Sequence, residues 1–87
     1  MFIILAYDVN VKRVAKVRKT VEKYLQPVQK SVFEGFVTDR ALGKLQRELE
    51  GMIDCEADAV VIYKQLFNGS LIKCEIGKRQ NTEIAIL

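Results

Sequence analysis

The chain has 87 residues, 49% of them hydrophobic and 29% charged, with a formal net charge of +3. One domain of this length removes roughly 60–65% of its unfolded surface from water, which leaves little room for a deep self-contained cavity and favours a site built between subunits. The composition excludes a disordered chain, the apolar runs are far short of the ~20 residues that span a bilayer, and the absence of histidine excludes imidazole catalysis and His-ligated zinc.

Residues 2–7 (Phe2-Ile3-Ile4-Leu5-Ala6-Tyr7) form a continuous apolar run. Such a run reads as a central strand buried on both faces. It stops at Asp8, too early for the hydrophobic core of a secretory signal, so the expected compartment is the cytoplasm, with no membrane partner. Asp8 or Asn10 can cap the helix that follows. Over residues 11–25, Val14, Val17, Val21, Tyr24 and Leu25 recur at helical steps, and Pro27 ends the element. Residues 28–37 are β-branched and aromatic, and read either as one strand bent at Glu34-Gly35 or as a cramped hairpin.

Thr38 is an N-cap residue, Asp39 suits a first helical turn, and Leu42, Leu45, Leu49, Met52 and Ile53 repeat the spacing of the first helix. Residues 58–63 (Asp-Ala-Val-Val-Ile-Tyr) and 71–76 (Leu-Ile-Lys-Cys-Glu-Ile) are strands joined through Asn68-Gly69, a strong hairpin signal. The order predicts an α+β ferredoxin-like sandwich over residues 1–77, with two helices on one face of an antiparallel four-stranded sheet. Residues 78–87 end in an apolar strand-like run, expected to serve as a dimerisation segment pairing with a partner's sheet. Cys55 and Cys74 have neither C-x-x-C spacing nor the numbers for a disulfide framework, and read as small buried apolar residues in a reducing compartment.

Charge is unevenly distributed. Between residues 10 and 30, Lys12, Arg13, Lys16, Arg18, Lys19, Lys23 and Lys30 face the single acid Glu22. Lys12, Lys16, Lys19 and Lys23 fall at steps of 4, 3 and 4, so they form a stripe on one helix face. A stripe of this kind binds phosphates by charge without reading bases. Asp8, at a strand end, is the candidate catalytic and metal-binding residue. One carboxylate is a poor magnesium site, but a two-fold axis would supply it twice. Tyr7, Lys12, Arg13, Lys16, Lys19 and Ser31 are the candidate nucleic-acid contacts, and Phe33 is a candidate accessory residue that also suits the core.

The strand ending in Tyr7-Asp8, Arg13 opening a basic helix, Gln29-Lys30-Ser31-Val32-Phe33-Glu34-Gly35 and Asp58-Ala59-Val60-Val61-Ile62-Tyr63 together resemble the CRISPR-associated protein two family over nearly the whole chain. The resemblance implies a ferredoxin-like fold, a symmetric homodimer, and a C-terminal strand packed on the other subunit. It also implies nucleic acid as partner, DNA and also single-stranded RNA, and a CRISPR integrase that the dimer helps to hold spacer DNA. Asp8 matches the family's metal ligand for Mg2+ or another divalent cation, used for endonuclease (endoribonuclease) cleavage. Tyr7, Arg13 and Ser31-Val32-Phe33 match its neighbouring motif residues. Pro27 and Lys30 depart from it, standing where some members have an arginine and an aromatic residue. The competing reading is a toxin-like small ribonuclease or a ferredoxin-like regulatory domain outside CRISPR systems.

Overall fold

The computed structural model describes residues 1–77. The expected dimerisation segment, 78–87, lies outside the described residues. Seven elements follow one another: β1 (Phe2–Asp8), α1 (Val11–Val21), β2 (Gln26–Gln29), β3 (Val32–Phe36), α2 (Asp39–Glu50), β4 (Ala59–Gln65) and β5 (Leu71–Gly77). The strands form one antiparallel sheet in the order β2-β3-β1-β4-β5. The first four strands in that order make the ferredoxin-like sheet, and β5 extends it beyond β4.

Among the described residues the sheet therefore has five strands where four are expected, because residues 26–36 form a hairpin rather than one bent strand. The irregularity lies between Pro27 and Gln29, not at Glu34-Gly35. A proline lacks the N–H that a ladder needs, and β2 accommodates it because it is an edge strand. Gly35 pairs regularly with Ile3; a Cβ there would stand 3.1 Å from Leu25 Cδ2, so the glycine serves close packing.

β1 is the central strand, as its apolar run suggests, but its two faces differ. Ile3, Leu5 and Tyr7 point into a core shared with Val17, Val21, Leu25, Phe33, Leu42, Leu45, Leu49, Val60 and Ile62. This is the side covered by the helices. On the other side Phe2 and Ile4 are half-buried, and Phe36 and Leu71 are exposed. With Tyr63 and Gln65, the residues Phe2, Ile4 and Leu71 line an open apolar groove. The run is apolar throughout because the helix-free face is apolar too.

α1 ends at Val21, one turn earlier than its periodicity predicts. The chain then closes through Lys23 N–H to Thr20 O and Leu25 N–H to Val21 O, and Tyr24 and Leu25 pack inward from the turn. α2 begins at the expected cap, where the Thr38 hydroxyl accepts from Ala41 N–H at 3.1 Å. Across the helix ends, Lys23 Nζ lies 2.6 Å from Glu48 Oε1, and the Tyr24 hydroxyl donates to Glu48 Oε2 at 2.5 Å. At the β4–β5 turn Gly69 adopts φ +88°, the left-handed conformation that glycine takes at low cost.

Candidate nucleic-acid interface and metal-binding carboxylate

Asp8 is the last residue of β1 and pairs in register with Ala59 of β4. Strand alternation places it with Phe2, Ile4 and Ala6 on the helix-free face. It is exposed, and among the described residues its carboxylate accepts no side-chain or cap hydrogen bond. The cap of α1 is Asn10, whose Oδ1 accepts from Lys12 N–H at 3.0 Å. Asp8 is thus relieved of the capping duty that was open to it.

A second carboxylate at the same sheet end is fully engaged. Asp58, with no solvent exposure, precedes Asp8's register partner Ala59. Its Oδ2 accepts from Arg13 Nε at 2.6 Å and Asp54 N–H at 2.9 Å; its Oδ1 accepts from Asn10 N–H at 2.9 Å and Arg13 Nη2 at 3.1 Å. Four donors saturate the lone pairs of a carboxylate. The Arg13 fork and the two backbone N–H groups hold the Asp58 carboxyl down at about 2, against burial, which pushes it up. The same pairing raises the Arg13 guanidinium.

Arg13, expected to reach phosphate, therefore spends two of its donors inside the protein. Tyr7, expected to meet nucleic acid, is buried and stacked on Phe33 with ring centroids 5.9 Å apart. Burial pushes its phenol up, and nearby Arg18 offsets part of the rise. Phe33 is fully buried in the core. Ser31 sits at the β2–β3 turn, half-buried, with its carbonyl accepting from Tyr7 N–H at 3.1 Å, so the turn lies beside the Asp8 end of β1. Lys12, Lys16 and Lys19 are exposed and enter no ion pair among the described residues, whereas Lys23 is taken by Glu48. The free part of the stripe thus begins in the first turn of the helix that follows Asp8 and runs about 10 Å along α1, at the ~1.5 Å rise of a helix, on the side turned away from the sheet.

Two functional neighbours escape a sequence reading. Asp58 carries one signal, an acid immediately before a fully apolar strand, which needs a partner. Arg18 packs over the Phe33 ring at 5.3 Å, donates to the Lys30 carbonyl at 3.1 Å and pairs with Glu22, so it ties the β2–β3 turn to α1. The i,i+4 spacing of Arg18 to Glu22 is the one part of this arrangement that a sequence displays.

Among the described residues no three Asp, Glu, Cys or His side chains converge. The Asp8 donor set is one exposed carboxylate per chain. Hard oxygen donors of this type fit magnesium, which keeps several of its waters and takes one or two carboxylates.

Residues 1–81 match the family described as CRISPR associated protein Cas2. The CRISPR-associated endoribonuclease Cas2 of Thermotoga maritima is 40% identical over 82 residues, covering 90% of this chain and 94% of that protein. The protein of the same name from Dictyoglomus turgidum is 44% identical over 63 residues, 72% of each chain. The crystal structure of Streptococcus pyogenes Cas2 superposes with a TM-score of 0.70 at 34% identity, over 78% of this chain and 89% of that one.

Proposed function

The chain belongs to the CRISPR-associated Cas2 family, and from that premise we propose that it works as a homodimer that binds nucleic acid during spacer adaptation and presents DNA to a CRISPR integrase. The observation that carries this reading is the run of Lys12, Lys16 and Lys19, exposed and without ionic partners among the described residues, along the solvent side of the helix that follows Asp8. The first turn of α1 contains no acid and two cations, Lys12 and Arg13. Cations near a helix N-terminus oppose its dipole by about 0.3–1 kcal/mol each. Asp58 compensates Arg13, and a bound phosphate would compensate Lys12.

The helix-free face supports the homodimer. Phe36 and Leu71 are 79% and 65% exposed, and the groove beside Leu71 is almost wholly apolar. A second copy applied to that face would cover these side chains and bring two Asp8 carboxylates towards a common axis. Charge reversal at Lys12, Lys16 and Lys19 together tests the binding surface. The expected result is weaker binding of a DNA duplex and a slope of log K against log salt flattened by about 2.7, one phosphate per lysine. An unchanged slope contradicts the reading.

The free Asp8 carboxylate favours a second activity, metal-dependent phosphodiester hydrolysis of RNA or DNA. Mg2+ or a similar cation held by the Asp8 pair would supply charge neutralisation to the phosphodiester. Asp8, exposed at a strand end, meets no competing side-chain hydrogen bond among the described residues, and Lys12 at the start of the following helix supplies charge for the nucleic-acid backbone. Cleavage that survives Asp8→Ala in dimeric protein contradicts this second activity.

A further inference from the structure

Asp58 gathers donors from three separate stretches of chain: Arg13 of α1, Asn10 of the β1–α1 connection and Asp54 of the α2–β4 connection. A fourth stretch presses on its backbone. Gly77 of β5 has φ +86°, and a Cβ there would stand 2.3 Å from the Asp58 carbonyl oxygen. Asp58 is therefore fixed from all sides at a point one residue from Ala59, the register partner of Asp8. The Asn10 N–H that it accepts is two residues beyond Asp8. Asp8 itself is bound by no side chain among the described residues, so its place is set by the backbone on either side of it.

We propose that the Arg13–Asp58 pair is the positioning device of the Asp8 metal site, anchoring the β1–α1 junction so that the Asp8 carboxylate is presented at a fixed point on the helix-free face. The inference rests on the metal-binding reading of Asp8 given above. It assigns to Arg13 a role through Asp8 rather than on phosphate. The guanidinium fork matters more than its charge: two parallel N–H donors orient Asp58, and Asp58 in turn holds Asn10.

The sign of one measurement separates positioning from simple electrostatics. A positive charge near a cation site weakens metal binding, so loss of the Arg13 charge alone would tighten it. Loss of an anchor would loosen it, with second-layer partners of metal ligands commonly worth 10–100-fold in affinity. The experiment titrates Mn2+, a paramagnetic substitute for Mg2+, into wild type, Asp8→Ala, Arg13→Gln, Arg13→Lys and Glu48→Ala, each as the dimer. The expected result is about tenfold weaker binding in Arg13→Gln and a smaller loss in Arg13→Lys, which keeps the charge but not the fork. Glu48→Ala, which loosens the opposite end of α1, should bind as wild type despite a lower melting temperature. Should Arg13→Gln fail to fold, Arg13→Lys carries the test alone, and wild-type affinity in it overturns the proposal. Arg13→Gln affinity equal to or tighter than wild type, with Asp8-dependent binding intact, overturns the positioning role and leaves the metal site standing. Equal binding by wild type and Asp8→Ala overturns the metal site and the positioning role together.

Discussion

Two carboxylates at one end of the sheet show how this chain divides labour. Asp58 is wholly buried and saturated by four donors; Asp8, beside its neighbour Ala59 in the ladder, is exposed and accepts no side-chain bond among the described residues. The same chemical group is a structural hub in one environment and stands free of side-chain partners, among the described residues, in the other. The helix that follows divides in the same way. Arg13 turns inward to Asp58, while Lys12, Lys16 and Lys19 face solvent. Charge along the sequence is thus a poor guide to which cations stay unpaired; the hydrogen-bond inventory decides.

The sharpest break in that contrast is alanine at each acid. Asp58→Ala leaves two backbone N–H groups without their acceptor and frees an Arg13 side chain that reaches solvent, a loss of about 2 kcal/mol. At ~4–8 °C per kcal/mol for a domain of this size, the melting temperature should fall by at least about 8 °C. Asp8→Ala should leave it unchanged within error while metal binding and cleavage disappear. Equal thermal losses at the two positions would erase the distinction.

Acid provides the next test. The folded Asp58 carboxyl lies at about 2, below its ordinary 3.8. A depressed carboxyl contributes fully above its unfolded value, and that contribution drains away as pH falls through the folded one. Urea midpoints should therefore drop from about pH 4 towards pH 2, and Asp58→Asn should flatten that limb. Glu48, lowered by Lys23 and Tyr24, adds to the same limb. A wild-type profile that Asp58→Asn leaves unaltered would mean that the pair carries little of the acid stability.

The mildest effect should follow Glu48→Ala. It removes the Lys23 ion pair and the Tyr24 hydrogen bond between the helix ends. Both partners reach solvent, so the expected loss is a small fall in melting temperature with DNA affinity retained, read by calorimetry and by fluorescence anisotropy.

Where local chemistry decides an element, the sequence is readable. Thr38 capping α2 and Asn68-Gly69 closing the β4–β5 turn both act within four residues. The end of α1 is not readable, because Tyr24 and Leu25 continue its apolar spacing yet pack from a turn. The pairing of β2 with β3 is obscured by Pro27, which marks an edge strand only after the sheet order is known. In β1 a run with no polar residue hides which side chains point inward, so Tyr7 looks available when it lies in the core. Asp8 stands out as the acid ending that run. The engagement of Arg13 does not, since its partner lies 45 residues away. Family resemblance marks Arg13 as a motif residue without showing that it pairs with Asp58.

The most direct test of the free Asp8 carboxylate is the number of Mn2+ ions bound per chain, read by the loss of free-ion paramagnetic signal on dimeric protein. The account predicts one ion for every two chains and none after Asp8→Ala. One ion per chain, or binding that persists without Asp8, would contradict it.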